Sequence, residues 1–281
     1  MTLYDRTSLE CSKLITTRYS TSFSLGIRTL DKKFRAAIYS IYGFVRFADE
    51  IVDTFHDHDK FELLDRFETD TYRAIEEKIS LNPVLHSFQW VINGYGIERE
   101  LIDAFLKSMR MDLNNNTYNQ KGYESYIYGS AEVIGLMCLR VFTEGDDALY
   151  QELKEPARRL GSAFQKVNFL RDIRSDYFER GRVYFPGIDF SQFKSVDKKA
   201  IEEDIQQDFN AAYAGIIRLP KGARKGVYLS YIYYLKLFEK IKKLSPESIL
   251  QKRIRIPDLK KLALIIPTLF KNSFEPVELF K

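Results

Sequence analysis

The sequence predicts a single all-α domain, and three observations carry that reading. Apolar residues recur at helical spacing through most of the 281 residues. Strand-like alternation is scarce, and all eight prolines fall at proposed helix boundaries or in loops. The chain is long for one domain yet acceptable for a helical one, and no linker or internal repeat divides it, so residues 1–281 are read as one unit.

Taken in order, residues 4–19 read as a helix, and STSFSLGIRTL after them is polar and loop-like. Asp31 then supplies an N-cap for a long helix to about Phe55. HDHD at 56–59 ends it. That tetrad reads as a solvated turn rather than a metal site, because the one remaining histidine is His86. Helices follow at 59–79 and 83–93, the second with a proline near N1. Residues 97–113 carry apolar side chains at 97, 101, 102, 105, 106 and 109, and NNNTYN marks a loop.

Residues 122–142 are apolar nearly all round, which implies a buried central helix. Gly129, Ser130, Ala131 and Gly135 on it allow close approach by a neighbour or a ligand, and Glu132 either faces a polar cavity or pairs with an arginine. Residues 146–175 form another helix that Pro156 starts or kinks. ERGRVYFP is a basic, aromatic link to Pro186, and the polar sequence through Lys199 reads as a mobile surface loop. The last long helices are 200–218 and 222–244, the latter bearing Tyr228, Tyr231, Tyr233, Tyr234 and Phe238. A short helix is expected between Pro257 and Pro267.

Composition narrows the function classes. Apolar residues make up 45% of the chain, enough for a sizeable core, and the aromatic share of 14% is high. A net charge of +4 with interspersed signs gives no nucleic-acid footprint, so nucleic acid is not an expected partner. Cys11 and Cys138 suggest neither a disulfide framework nor a cysteine metal site, which fits a reducing cytoplasm. The opening MTLYDRTSLECSK lacks an apolar signal region, and no run approaches the ~20 apolar residues a bilayer demands. A cytoplasmic protein is expected, attached at most to a membrane surface. RIRIPDLKKLALIIPTLF has the basic and apolar mixture for such contact, or for docking on the domain. Nothing in the sequence sets an oligomeric state.

Two stripes carry the chemistry. In QKVNFLRDIRSD, Gln165, Asn168, Asp172 and Asp176 fall near one line of a helix. In YGFVRFADEIVD, Tyr42, Arg46, Asp49 and Asp53 do the same. One D-x-x-x-D is usually a solvated face, and like charges four apart cost a helix a few tenths of a kcal/mol. Two of them, each with an arginine close by and each inside an apolar helix, point instead to a cavity that binds divalent cations through oxygen. Mg²⁺ suits this design, since it takes hard oxygen ligands and is shared between one or two carboxylates and substrate phosphates. The arginines would hold the phosphate oxygens left free, and the two helices would face each other across a diphosphate.

With these residues in view, the chain resembles the squalene/phytoene synthase family, the head-to-head isoprenoid synthases. The matching stretches are YSTSFSLG, YGFVRFADEIVD, YIYGSAEVIGLM and QKVNFLRDIRSDYFERGRVYFP, with YYLKLFEKI and QKRIRIP as looser matches. The resemblance implies an isoprenoid-synthase helical fold with a central cavity, and Mg²⁺-dependent condensation of two prenyl diphosphates, Mn²⁺ being a possible substitute ion. It implies catalytic, metal-binding pairs Asp49/Asp53 and Asp172/Asp176, with Asn168 as a supporting ligand. It implies diphosphate contacts from Arg46, Arg171, Ser20 and Ser22, and further substrate contacts from Tyr126, Gln165, Tyr234 and Arg253. Phe23, Tyr42 and Tyr184 are candidates to line the reacting centre, where aromatic faces stabilise cations without reacting with them. Family members often have Ala-Gly where this chain has Ala131-Glu132, which bears on the cavity wall.

The expected reaction joins two geranylgeranyl diphosphates to phytoene. The alternative uses farnesyl diphosphate to make presqualene diphosphate, squalene or dehydrosqualene, and a second alternative is a helical assembly module without activity. No Gly-rich nucleotide fingerprint is visible, so NADPH is not expected.

Overall fold

The computed structural model describes residues 1–114 and 117–255, and the short helix expected between Pro257 and Pro267 lies outside them. Among the described residues there are helices and no strand. Helix α1 (Leu3–Tyr19) opens on a capping box in which Thr2 and Asp5 exchange side-chain-to-backbone bonds. Helix α3 (Lys32–Asp53) is N-capped by Asp31, as the sequence suggests, and packs its apolar face against α1, α4 (Lys60–Glu77), α5 (Pro83–Tyr95), α6 (Arg99–Asn114) and α8 (Val133–Thr143). In the HDHD turn, the Asp59 carboxylate accepts from the Phe61 and Glu62 amides and so starts α4.

The stretch read as a loop after Tyr19 is a helix, α2 (Thr21–Thr29). Its hydroxyls look loop-forming but turn inward on the helix itself. Ser20 caps the Phe23 amide, Ser24 donates back to the Ser20 carbonyl, and Thr29 donates to that of Gly26. Small side chains here serve packing: a Cβ on Gly26 would stand 2.4 Å from Ser230 Oγ, so α2 lies directly on α11 (Lys221–Lys242).

The central helix is a composite. Helix α7 (Gln120–Ile127) passes through one π-helical turn, Tyr128–Glu132, into α8. Gly129 and Gly135 explain its small residues. A Cβ on Gly129 would meet the Ala104 carbonyl oxygen at 2.3 Å, and one on Gly135 the Ala157 oxygen at 2.9 Å. Glu132 takes the second of its two readings: Arg158 Nε donates to it at 2.7 Å.

Helix α9 (Asp147–Arg174) keeps Pro156 in its interior, where the ring fills the space over Gly215 of α10 (Ser195–Ile216). Past α9 a second π-helical turn, Ser175–Glu179, carries the last aspartate of the stripe. The segment expected to be a mobile loop as far as Lys199 is shorter and anchored: Phe190 and Phe193 are buried, and α10 begins at Ser195. Its polarity belongs to a helix surface, and the two aromatics hold the preceding link against the core. A short α12 (Pro246–Gln251), unforeseen in the sequence, packs on α9.

Two apolar clusters result. One surrounds Phe44, which stacks on Phe88 at 3.7 Å between ring centroids, under α3 to α6 and α8. The other is built on α9, α10 and α11 around Phe169, Phe209 and Phe238. A cavity lies between them. No helix among the described residues is long and apolar enough to cross a membrane.

Candidate active site

One cavity of about 660 Å³ is lined by every residue singled out above as a site candidate. Helix α2 and its cap contribute Ser20, Ser22 and Phe23. Helix α3 contributes Tyr42, Arg46, Asp49 and Asp53, and α7 contributes Tyr126. From α9 come Gln165, Asn168, Arg171 and Asp172, followed by Asp176 on the π turn and Tyr184 beyond it. Tyr234 of α11 and Arg253 after α12 complete the set. The spacing that makes each stripe one line on a helix therefore turns both lines inward, toward each other.

Arginines are interleaved with the carboxylates. Arg46 donates from Nη2 to Glu50 at 2.6 Å, and its Nη1 stands 3.7 Å from Asp49. Asp172 receives Arg171 and, at 2.7 Å, Arg253. Arg180 lies 3.4 Å from Asp176 and 3.8 Å from Asp53, which joins the two acidic stripes through one guanidinium. Tyr234 donates to the Asn168 side-chain oxygen at 3.2 Å and fixes how that amide faces the cavity.

Sequence reasoning missed three members, the first being the Arg180 just described. Asp112, near the end of α6, accepts hydrogen bonds from Tyr126 at 2.8 Å and Tyr184 at 3.3 Å. Arg182 reaches Asp53 at 3.3 Å, lies 3.8 Å from Asp112 and donates to the Asp112 carbonyl at 3.0 Å. Arg182 stood inside the quoted GRVYFP, so a signal was available. Asp112 shares its amphipathic helix with Glu100 and Asp103 but forms no acidic stripe with them, and it offered none.

The electrostatics favour an added cation. Burial pushes Asp49 up to about 7, with Arg46 opposing and Asp53, Asp112 and Glu50 reinforcing it. Asp49 keeps 34% of its side-chain surface, but that surface opens on the cavity. Burial, with Asp172 beside it, raises Asp176 to about 7 as well, against the pull of Arg180 and Arg182. Asp112 is raised to about 6 by burial, with Arg182 opposing. The arginines thus leave the carboxylates short of positive charge. An oxygen-only donor set in this condition fits a hard divalent cation. Among the described residues no group of three or more His, Cys, Asp or Glu is placed to hold a metal ion by itself. Mg²⁺ requires none, since waters and substrate phosphates complete its shell.

Away from the acids the wall turns apolar. Phe23 packs on Tyr42 at 4.6 Å and Tyr234 at 5.9 Å, and Phe164 stacks on Tyr234 at 4.0 Å. Beyond them Ile134, Cys138, Phe142, Leu153 and Leu219 continue the lining. Ala131 faces the cavity, while Glu132 stays with Arg158.

The family model for squalene/phytoene synthase matches residues 16–260. The chain is 26% identical to a phytoene synthase of Arthrospira platensis over 282 residues, covering 91% of this chain and 90% of that protein. It is 27% identical to a 15-cis-phytoene synthase of Synechococcus elongatus, covering 90% and 89%. In three dimensions it superposes on a dehydrosqualene synthase with a TM-score of 0.79 at 20% identity, covering 94% of this chain and 96% of the other. The squalene synthase HpnC from Alicyclobacillus acidocaldarius gives 0.74 at 21% identity, covering 86% and 96%. These two likenesses speak to the fold, the all-α isoprenoid-synthase architecture. The chain belongs to the squalene/phytoene synthase family and is a prenyltransferase of the head-to-head class.

Proposed function

We propose that this enzyme, with Mg²⁺, condenses two geranylgeranyl diphosphates head to head, forming phytoene through a cyclopropyl (prephytoene) diphosphate. The observation that carries this reading is a single cavity with two facing acid-and-arginine stripes at one end and an apolar wall at the other. When bound, Mg²⁺ supplies Lewis-acid stabilisation of the departing diphosphate. Asp49, Asp53, Asp172 and Asp176, with Asn168, are the residues that would hold it.

Arg46, Arg171 and Arg253 neutralise the diphosphate oxygens as the first allylic C–O bond breaks. The cation left behind is attacked by the C2–C3 double bond of the second chain, and loss of a proton closes the cyclopropane. Departure of the second diphosphate, rearrangement and loss of another proton give the 1–1′ product. No side chain acts as a nucleophile. Ser20, Ser22, Tyr126 and Gln165 orient the two substrates in this scheme, while Phe23, Tyr42, Tyr184 and Tyr234 present aromatic faces to the cations and exclude water.

The C20 reading is supported by the reach of the cavity and by relatives. Cavity-lining residues of α9 extend from Asp172 back to Leu153. That separation is about 28 Å at 1.5 Å per residue. The two cyanobacterial relatives named above are phytoene synthases over about nine-tenths of the chain. The reading with farnesyl diphosphate has its own support. A 4,4'-diapophytoene synthase of Staphylococcus haemolyticus is 26% identical over 68% of the chain and 66% of that protein.

Incubation with Mg²⁺ and either the C15 or the C20 diphosphate, with and without NADPH, separates the two by product mass. The C20 substrate is expected to give a C40 hydrocarbon whether or not NADPH is present. Consumption of the C15 substrate alone would overturn the chain length and leave the metal site standing. A cyclic product from one chain would overturn the two-substrate class.

A further inference from the structure

Tyr19 closes α1 immediately before the Ser20 cap, so the α1–α2 junction sets its ring at the cavity mouth. The ring is 54% exposed and covers the Arg46 guanidinium, with 4.4 Å from Cζ to the ring centroid. On the same guanidinium, Nη2 is committed to Glu50 at 2.6 Å, and the Tyr19 hydroxyl also engages that carboxylate. Nη1 makes no hydrogen bond among the described residues and stands 3.7 Å from Asp49. One face and one edge of the group are therefore fixed; Nε is buried without a hydrogen-bond partner, and Nη1 is left to meet an anion.

We infer that Tyr19 is a positioning residue for diphosphate capture: its ring stacks on Arg46 and, opposite the Glu50 bond, holds Nη1 toward the bound anion. The inference rests on the reading of Arg46 as a diphosphate ligand, and assigns Tyr19 a role through that arginine rather than through its own hydroxyl. A preorganised guanidinium loses less freedom per bond formed. The same segment supplies Ser20 and Ser22 to the cavity, so one chain reversal would bring three residues to the anion.

The test measures binding of inorganic pyrophosphate in the presence of Mg²⁺ to the full chain, by calorimetry, in a double-mutant cycle. Tyr19→Phe retains the stacking face and is expected to bind within about twofold of the parent. Tyr19→Ala is expected to weaken binding about 2- to 30-fold, the range of one cation–π contact. Steady-state kinetics should show a matching fall in kcat/KM. In an Arg46→Gln background, Tyr19→Ala should have no further effect.

A full Tyr19→Ala effect in that background would overturn the inference, because the ring would then act without the arginine. Equal losses for Phe and Ala would overturn it too, since the hydroxyl would be the active part. If Arg46→Gln itself leaves pyrophosphate binding unchanged, the reading of Arg46 fails and the inference falls with it. The first two outcomes leave the Arg46 reading intact, so the two failures are distinguishable.

Discussion

Asp49→Asn and Asp172→Asn should each lower diphosphate release on the order of a thousandfold. Removing one preorganised electrostatic partner from an active site commonly costs 10²–10³ in rate. Each substitution removes a charge that a hard cation requires while keeping the shape of the side chain. The fold should tolerate Asp49→Asn, because that carboxylate is crowded rather than stabilising. Burial and Asp53 already work against its ionisation. Far-ultraviolet dichroism and the melting temperature of that variant should therefore stay near those of the parent or rise. Asp172 gives the more demanding test, because it is bound by both Arg171 and Arg253. If its loss frees those arginines without affecting release, it was only their counter-ion. Near-parental turnover in both variants would refute the metal assignment.

Gly129→Ala should be strongly destabilising for a change of one methyl group. The added Cβ would lie 2.3 Å from the Ala104 carbonyl oxygen and 2.7 Å from Ser108 Cβ. A backbone carbonyl cannot rotate aside as a side chain can, so α6 and the π turn must separate. Overpacking of this kind costs about 1–3 kcal/mol. At roughly 2–4 °C per kcal/mol for a chain of this size, melting should fall by about 2–12 °C. Activity should fall as well, because the π turn links Tyr126 to Ala131 on the cavity wall and α6 carries Asp112. Gly161→Ala presses on the other side of the same turn, against the Ala131 carbonyl at 2.6 Å. It should give a similar loss. An unchanged melting temperature in both would mean that the helices are not packed as described.

How far the sequence disclosed this site follows from the physics of each part. The two aspartate stripes were legible because helical periodicity carries a side chain's direction as well as its presence. Once 42, 46, 49 and 53 share a line within an apolar helix, the line must face either a cavity or a partner. Helix α2 was not legible, since Ser and Thr signal a loop unless their hydroxyls bond to their own helix, and only coordinates reveal that. The Phe190 and Phe193 anchors were hidden in a polar segment in the same way. Asp112 and Arg182 join the site through tertiary contact alone, from α6 and from the link after α9. Glu132 posed two alternatives that sequence left equal, and the position of Arg158 on α9 decides between them.

The most direct test follows diphosphate released per hydrocarbon formed from the C20 substrate, while Mg²⁺ is titrated in and then removed by a chelator. Two diphosphates per C40 product, appearing with added Mg²⁺ and ceasing on chelation, are the predicted result. Release that continues at full rate after chelation, or a C40 product formed with no dependence on a divalent cation, would contradict it.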